Sequence, residues 1–465
     1  MILLRVSLFF IVLLLLPDWY IYKAYIRHQS NKLWKQLFGI PSASLLLVLL
    51  IFILFKDSIQ QHHFGTYLII TLCIAVPKAV FALFSLLMRG ISNLLRIRLP
   101  HGWIALLPAL AAFGYILFGA VRGKENFKVH QVTYVSPDLP DAFDGYRILQ
   151  LSDIHSGSWK GNGHALQRAI DLCNAQHPDL AVFTGDLVNS RADELTEFVP
   201  VLSQLRAKDG VFSVLGNHDY GTYTRWESEL DRIANVDSLI VRENRMGWQM
   251  LMNSHRILHR GNDSIALAGV ENSGAPPFPD YANLSQALQG TEGMFKILLS
   301  HDPTHWRREI LPESDVQLTL SGHTHDMQIR LFGFSFSRFV YPEHCGMYLE
   351  DGRGLYVNVG LGYVLFPMRL GAYSFFTREK SVSACVALIS ARRTRLSAEF
   401  NCPSSGITFT LAITSPFLTA CPASLYTSSI IPEIWGLIRI SSLGSTFPVA
   451  TVVFCRSVTS GLRVS

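Results

Sequence analysis

Charged side chains are scarce in this chain. Only 16% of its 465 residues are Asp, Glu, Lys or Arg, whereas about 25% is usual for soluble domains. The deficit argues against an ordinary soluble protein and indicates segments that lie in a membrane. The net charge of +5 is small and the basic residues are spread along the chain, so the composition gives no reason to expect a nucleic-acid partner.

The cysteines lack the spacing of a structural framework. None of the seven forms a CxxC pair, and four of them lie beyond residue 380. Neither a disulfide scaffold nor a zinc ribbon is therefore indicated.

Long apolar runs fill the first 125 residues, a region that we predict to be transmembrane. Each run approaches the roughly 20 residues that cross a bilayer core, and the runs are residues 6–22, 38–55, 66–87 and 103–121. The alternative for the first run is a cleaved signal peptide, and for the others it is a set of buried helices in a soluble core. No small-residue cleavage site follows the first run, and the runs carry almost no charge, so membrane helices are favoured.

Basic residues between the runs bear on the orientation in the membrane. They are concentrated in two loops, at Lys23, Arg27, Lys32 and Lys35 and at Arg89, Arg96 and Arg98. If these loops face the cytoplasm, the positive-inside rule places the rest of the chain on the outer, periplasmic side. Arg122, Lys124 and Lys128 weaken that prediction. Lys78, inside the third run, indicates either a functional role or, as we prefer, a lysine packed between helices.

Polar residues repeatedly follow apolar strands in the second part of the chain. The predicted strands 146–151, 180–183, 211–215, 295–299 and 316–320 are followed by Asp153 and His155, Asp186, Asn217 to Asp219, His301, and His323 and His325. Helices predicted at 163–176 and 193–205 alternate with these strands, which indicates an α/β fold with its site at the carboxyl ends of the strands. Any one of these residues alone would be an ordinary loop residue, but five elements in order make a chance pattern a poor explanation.

The complete set resembles the calcineurin-like metallophosphoesterase superfamily, and within it the membrane-anchored bacterial branch. The matching motifs are Asp153-x-His155, Gly185-Asp186, Gly216-Asn217-His218-Asp219, His301 and Gly322-His323-Thr324-His325. The resemblance covers roughly residues 126–372. It implies an α/β fold of the metallophosphoesterase type, a β-sandwich flanked by helices, preceded here by a four-helix transmembrane region.

The resemblance also implies two divalent metal ions. One would be held by Asp153, His155 and His325, the other by Asn217, His301 and His323, and Asp186 would bridge both. Mixed nitrogen and oxygen ligands suit Mn, Fe, Co, Ni or Zn, and such a pair of ions shares a hydroxide that attacks a clamped phosphoryl group. His218 resembles the general acid of the family, and Asp219 is expected to orient its ring.

Three residues near this set have open roles. Asp326 follows His325 where the family often has glycine, and it is expected either to perturb the charge at the metals or to point to solvent. His305 and Tyr341 are candidates for lining the pocket, with a structural role as the alternative.

The tail after residue 372 differs from the rest. Residues 381–465 contain only two acidic residues, whereas Ser and Thr supply 25 of these 85 positions. A poorly ordered extension, a membrane-associated stretch near 407–418 and a shifted reading frame compete as explanations. We expect low structural order and no catalytic role, with 383–389 as a candidate for the closing strand of the sheet.

The sequence thus predicts a transmembrane region at 1–125, a catalytic domain at 126–372 and an atypical tail at 373–465. The predicted protein is an integral component of a bacterial inner membrane that hydrolyses phosphomonoester, phosphodiester or pyrophosphate bonds. A lipid-linked or cell-envelope phosphate is a candidate substrate on location alone. The alternative is a non-enzymatic membrane protein with a structural or sensory metal site, and a transporter role based on Lys78 is a third option.

Overall fold

The computed structural model describes residues 2–55 and 61–372, and the backbones of three strands at 375–384, 396–401 and 408–413. The chain forms two compact units, Met1–Ala384 and Cys385–Ser465. Within the second unit the described residues form one antiparallel pair of strands. All other elements belong to the first unit.

Helices make up the beginning of the first unit. They are α1 (Ile2–Ile21), α2 (Lys32–Leu37), α3 (Ile40–Leu54), α4 (Gln61–Leu95) and α5 (His101–Val121). Four segments of this region, namely Leu8–Ile26, Lys32–Leu54, His63–Leu95 and His101–Val121, are long and apolar enough to cross a membrane. The four predicted runs are therefore confirmed as helices, and α4 extends well beyond the predicted 66–87.

Lys78 forms an ion pair inside this helical bundle. Its Nζ lies 2.8 Å from Asp18 Oδ1 in α1 and donates to Ser42 Oγ in α3 over 3.0 Å. The amine thus joins three helices, which agrees with the packing role that we preferred for this residue.

Two six-stranded sheets follow the helices. The described strands, in chain order, are β1 (Lys128–Ser136), β2 (Ile148–Leu151), β3 (Leu180–Thr184), β4 (Val211–Val214), β5 (Trp248–Met250), β6 (Ser254–Arg260), β7 (Asp263–Gly269), β8 (Phe295–Leu299), β9 (Leu318–Ser321), β10 (Arg330–Leu331), β11 (Phe334–Ser335), β12 (Gly346–Glu350), β13 (Arg353–Val357), β14 (Phe375–Ala384), β15 (Leu396–Asn401) and β16 (Thr408–Ile413). Strands β10 and β11, and β15 and β16, form two separate pairs. The first sheet has the order β1-β14-β2-β3-β4-β5 and the second β12-β13-β9-β8-β7-β6. Strands β2 to β5 run parallel, as do β7, β8, β9 and β13.

The sheets pack face to face and are covered by helices on their outer sides. Val182 and Phe212 of the first sheet and Ile265 and Ile297 of the second belong to one buried apolar cluster between them. The helices that connect the strands are α6 (Gly163–Asn174), α7 (Val199–Leu202), α8 (Glu229–Arg245), α9 (Leu284–Leu288) and α10 (Leu311–Glu313). This helix-flanked sandwich confirms the predicted fold class.

The elements that differ from the prediction include two helices and the closing strand. The helix expected at 193–205 is a 3-10 turn, Ala192–Leu195, followed by the short α7, because Pro200 lacks the N–H that a continuous helix needs. Helix α8 was missed, although Ser228 caps it by accepting a hydrogen bond from the Asp231 amide. The closing strand is β14, which lies between β1 and β2.

The expectations for the tail are tested only in part. Strand β14 begins three residues after residue 372 and joins the first sheet as its closing strand. The candidate strand 383–389 overlaps β14 only at Ser383 and Ala384, and residues 385–389 lie outside the described residues. Of the predicted membrane-associated stretch near 407–418, only residues 408–413, which form β16, belong to the described residues.

A segment near the end of the first unit connects the helical bundle to the sandwich. We call residues 364–370 the junction segment. Met368 and Leu370 are buried against Ile116 of α5, and the Arg369 amide donates to Gly119 O of the same helix over 3.2 Å. A Cβ atom at Gly119 would collide with the Leu370 side chain, so a larger residue there would require Leu370 to move.

We expect the Lys78–Asp18 ion pair to stabilise the helical bundle only as a pair. Lys78→Met should lower the free energy of unfolding by about 3 kcal/mol, because the Asp18 carboxylate is left without its counter-charge. Asp18→Leu should have a similar cost. The double variant should recover most of the loss, since two apolar side chains then replace both charges.

Thermal unfolding of the full chain in detergent measures these effects. Lys32→Met, at an exposed position, is the control and should leave the melting temperature unchanged. Additive losses in the double variant would contradict an energetic coupling between the two residues.

Candidate metal centre

The central strands of both sheets deliver polar side chains to one place. Strands β2, β3 and β4 lead to Asp153 and His155, to Asp186 and to Asn217, and strands β8 and β9 lead to His301 and to His323 and His325. The parallel strands end on the same side of the sandwich, so their loops converge. The structure brings all seven predicted ligand residues together there.

The first group consists of Asp153, His155 and His325. His325 Nε2 lies 3.2 Å from Asp153 Oδ1 and 3.0 Å from His155 Nε2. All three side chains are buried, and their potential ligand atoms lie within 4.8 Å of one another. This spacing is compact enough for one cation to contact all three.

The second group consists of Asn217, His301 and His323. Asn217 Oδ1 lies 3.1 Å from His301 Nε2 and 2.8 Å from His323 Nδ1. The Asn217 Nδ2 donates to the Tyr223 hydroxyl over 2.8 Å. That contact fixes the amide so that its oxygen, the atom suited to bind a metal, faces the two rings.

Asp186 lies between the two groups. Its Oδ2 is 3.2 Å from His301 Nε2 and 3.7 Å from His155 Nε2. Its Oδ1 accepts the backbone amide of His218 over 2.8 Å. One carboxylate oxygen thus reaches both groups, which is the arrangement that a bridging ligand requires.

The donor set fits divalent metal ions. The Thr184 carbonyl oxygen lies 2.7 Å from His301 Nδ1, and because a carbonyl can only accept, that nitrogen carries a proton. The other nitrogen, Nε2, faces the oxygens of Asp186 and Asn217. Because these oxygens are acceptors, Nε2 either carries a second proton or gives its lone pair to a cation that lies between them.

The electrostatics agree with such a site. Burial would raise the pKa of Asp186, but His301 and His218 hold it well below its usual value. Burial would lower the pKa of His301, yet the Asp186 carboxylate raises it to about 10. Burial, with His218 beside it, keeps the pKa of His155 well below its usual value. A proton on His301 therefore supplies the positive charge that a bound metal would replace.

Backbone strain is concentrated in the same loops. Asp153, His155, Asp186, His323 and His325 have φ of 51°, 49°, 62°, 73° and 48°, a left-handed conformation that is uncommon for residues other than glycine. Strained residues persist where the surrounding structure holds them and are common at functional sites. Next to them, a Cβ at Gly322 would collide with Ser152 and Asp153, so this glycine allows the loops to approach each other.

His218 and Asp219 occupy different positions from those expected. The carboxylate of Asp219 accepts the amides of Asp186 and Leu187, both over 2.8 Å, and those of Val188 and Gly216. His218 Nδ1 instead lies 2.7 Å from the Asn189 carbonyl oxygen. The expected orientation of the His218 ring by Asp219 is thus replaced by that carbonyl, and Asp219 holds the loop that carries Asp186.

Burial and the nearby Asp186 raise the pKa of Asp219 to about 7. This group is nevertheless surrounded by N–H donors, which favour its ionised form. The structural role of Asp219, directly after His218 in the sequence, is to accept these backbone amides.

Asp326 does not point to solvent, which was one of the two expectations for it. Its side chain is buried, and its Oδ2 accepts a hydrogen bond from Arg330 Nε over 2.7 Å. The charge is therefore compensated by an arginine four residues away, and the carboxylate does not point to solvent.

Of the two candidate pocket residues, only Tyr341 contacts one of the predicted ligand residues. The Tyr341 hydroxyl lies 2.9 Å from His323 Nε2, so Tyr341 reaches the site. His305 is buried between the Ser300 hydroxyl and the Glu309 carboxylate, at 2.9 and 2.8 Å. His305 therefore has a structural position.

Arg369 is a site residue that the sequence did not reveal. It is fully buried, and its Nη2 lies 3.1 Å from His325 Nδ1 and 2.9 Å from the Val359 carbonyl oxygen. Burial lowers the pKa of its guanidinium to about 10, so it stays charged at neutral pH. Its only signal in the sequence is a charged residue within an otherwise apolar stretch, from Leu365 to Ala372.

Comparison with known proteins places this site in a family context. A family model described as "Probable Calcineurin-like phosphoesterase, transmembrane domain" matches residues 4–124, and one described as "Calcineurin-like phosphoesterase" matches residues 146–327. The uncharacterized metallophosphoesterase YkuE of Bacillus subtilis is 31% identical to this chain, over 56% of this chain and 87% of that protein.

Two vertebrate proteins are also similar, each called "Transmembrane protein with metallophosphoesterase domain". The protein from Danio rerio is 33% identical, over 56% of this chain and 59% of that protein. The protein from Bos taurus is 32% identical, over 59% of this chain and 62% of that protein. The chain thus spans about three fifths of the length of these two relatives.

We expect Arg369 to support the candidate metal centre by holding the Val359 carbonyl beside His325. Arg369→Met should weaken the binding of Mn²⁺ about 10- to 100-fold, the usual effect of losing a group behind the metal ligands. Arg369→Lys should be intermediate, because it keeps the charge but not the planar fork. Calorimetric titration of the full chain in detergent measures both affinities.

Arg338→Met, at an exposed position, is the matched control for Arg369. It should bind Mn²⁺ as the parent does. An Arg369→Met variant that melts like the parent without metal and binds Mn²⁺ equally well would rule out the positioning role.

The buried carboxyl of Glu243 makes the stability of the fold depend on pH. This carboxyl lies in α8 and is fully buried, and burial raises its pKa well above its usual value, with Asp219 adding to the effect. A raised pKa in the folded state stabilises the fold at low pH, and this stability is lost as pH rises above the unfolded value near 4.5. The melting temperature of Glu243→Gln should therefore increase relative to the parent between pH 5 and 8.

Glu229→Gln is a control for which the opposite pH dependence is expected. The hydrogen bond from Arg232 lowers the pKa of Glu229, so the ionised Glu229 stabilises the fold above the pKa of the unfolded state. The melting temperature of Glu229→Gln should therefore fall relative to the parent as pH rises. A pH-independent difference for Glu243→Gln would show that its carboxyl ionises freely in the folded chain.

Proposed function

The chain belongs to the calcineurin-like metallophosphoesterase family, and on this basis we propose that it is a membrane-anchored hydrolase of phosphate esters that uses two divalent metal ions. It is an integral membrane protein with four candidate membrane spans. The observation that supports the proposal most is the position of Asp186, whose Oδ2 lies within 3.7 Å of histidines from both ligand groups.

We assign the ligands as the two groups suggest. Asp153, His155 and His325 would hold one ion, and Asn217, His301 and His323 the other, with Asp186 shared. The nitrogen and oxygen donors suit Mn, Fe, Co, Ni or Zn. When bound, the ions would supply Lewis acidity at the phosphoryl oxygens and activate the attacking water.

His218 is the proposed general acid. Because its Nδ1 donates to the Asn189 carbonyl, Nε2 is the nitrogen that can give a proton to the leaving oxygen. The Tyr223 ring stacks on the imidazole with centroids 4.2 Å apart, and the His155 ring lies edge-on at 4.7 Å. These contacts hold the ring beside the ligand groups. Asp219 acts as a positioning residue, since it fixes the loop of Asp186.

The substrate that we favour is a phosphate group at the surface of the membrane. The junction segment packs against α5 and also carries Arg369, which contacts His325. The ligand groups are therefore only a few residues from the helical bundle. This closeness supports a lipid-linked phosphate, in a phosphomonoester, phosphodiester or pyrophosphate.

We also propose that the catalytic part faces the periplasm of a bacterial inner membrane. The basic residues from Lys23 to Lys35 and from Arg89 to Arg98 lie at the end of the bundle where α1 and α4 finish, whereas the sandwich follows the end of α5. The positive-inside rule then assigns that end of the bundle to the cytoplasm.

His218→Asn tests the enzymatic role. Hydrolysis of bis-p-nitrophenyl phosphate and p-nitrophenyl phosphate with Mn²⁺ should fall about 100-fold or more, which is typical for the loss of a general acid. The metal content, measured by mass spectrometry, should stay unchanged because His218 is not among the assigned ligands.

The control is His259→Asn, at an exposed position of β6, which should keep full activity. Loss of metal in His218→Asn would make this residue a ligand. A well-folded parent protein with no hydrolysis under any of the five metals would exclude the enzyme and favour a structural or sensory metal site.

A further inference from the structure

A hairpin that leaves the metal centre exposes large apolar side chains. We define the aromatic hairpin as residues 330–340, which contain β10, β11 and a 3-10 turn, Phe336–Phe339. Its exposed apolar residues are Leu331, Phe332, Phe334, Phe336, Phe339 and Val340. Phe332 is fully exposed and Phe339 is 74% exposed. Contiguous apolar patches of this kind are rare on water-facing surfaces and mark interaction sites.

The polarity of the aromatic hairpin is inverted. Ser335 and Ser337 are buried, whereas their neighbours Phe334 and Phe336 are exposed. The Ser335 hydroxyl donates to the Asp326 carbonyl oxygen over 2.9 Å. Hydroxyls that point inward while rings point outward suit surroundings that are less polar than water.

The phenylalanine rings contact one another instead of the core. The rings of Phe334 and Phe336 have centroids 5.3 Å apart, and those of Phe334 and Phe339 are 5.8 Å apart. The guanidinium of Arg338, also exposed, lies 5.6 Å from the centroid of Phe334. The cluster thus combines an apolar surface with one cation at its edge.

The base of the aromatic hairpin lies beside the helical bundle. The Arg330 amide donates to the Leu370 carbonyl oxygen over 2.6 Å. The preceding residue, Ile329, packs with Leu370 and with Ile116 of α5. The hairpin therefore begins where the sandwich meets the helices that are long enough to span a membrane.

We propose that the aromatic hairpin inserts its phenylalanine side chains into the phospholipid bilayer that the chain's own helices span. The bilayer is the occupant that the position favours, because the patch continues from the contact between the junction segment and α5. Aromatic and aliphatic side chains enter the acyl boundary of a bilayer readily, and a flanking arginine meets the anionic headgroup phosphates.

The insertion has a consequence for the metal centre. The aromatic hairpin starts five residues after His325, and it is followed by Tyr341, whose hydroxyl contacts His323 Nε2 over 2.9 Å. An inserted hairpin would hold the ligand loop at the level of the headgroups. This consequence rests on the proposed function, whereas the insertion itself requires neither metal nor hydrolysis.

Tryptophan quenching in lipid nanodiscs tests the insertion. The full-length Phe332→Trp variant is placed in nanodiscs of phosphatidylcholine and phosphatidylglycerol, with or without bromine on the acyl chains. The emission that this residue adds to the parent spectrum should lose about half or more of its intensity in brominated lipid, since the bromine lies where the ring inserts. Phe339→Trp should behave in the same way.

Leu349→Trp is the matched control, because Leu349 is 67% exposed but lies on β12, outside the hairpin. Its added emission should be unaffected by bromine. Equal quenching at both sites, or none at Phe332→Trp and Phe339→Trp, would overturn the proposal. Cross-linking between chains at unquenched hairpin positions would assign the patch to a second copy. All these results are obtained without substrate, so they are independent of any failure to find hydrolysis.

Discussion

The candidate metal centre depends on one constraint: a single carboxylate, that of Asp186, has to lie within reach of histidines from two separate sheets. His301 comes from the second sheet and His155 from the first, and both face the same Asp186 oxygen. The face-to-face packing of the sheets makes this possible, because the buried cluster between them fixes how their strand ends align. The left-handed conformations at five of the proposed ligands have a local energetic cost, and the surrounding packing keeps them in place.

Hydrogen bonds from surrounding residues fix the orientation of the candidate ligand side chains. Asp219 gathers four backbone amides around the Asp186 loop, Tyr223 fixes the amide of Asn217, and Thr184 fixes the proton on His301. Each contact sets which atom of a ligand faces inward. The site is therefore determined as much by hydrogen bonds to the backbone as by the ligands themselves.

The sequence was most informative where a residue type has one dominant use. Aspartate and histidine at strand ends predicted the residues that the structure brings together, and uncharged runs of about 20 residues predicted the membrane helices. It was least informative where the partner is distant in the chain. The pairing of Arg369 with His325 and the insertion of β14 between β1 and β2 join elements far apart in sequence. The role of Asp219 was misjudged because an adjacent imidazole is a more obvious partner for a carboxylate than four amides.

The junction segment also shows that the sandwich is not an autonomous part attached to an anchor. Phe366, Met368 and Leu370 are packed against α4 and α5 or their neighbours. A fragment that starts at residue 126 would release these side chains into water, next to the arginine that supports His325. Solubilising the catalytic half by excision therefore removes part of its own interior, and the helices act as a portion of its hydrophobic core.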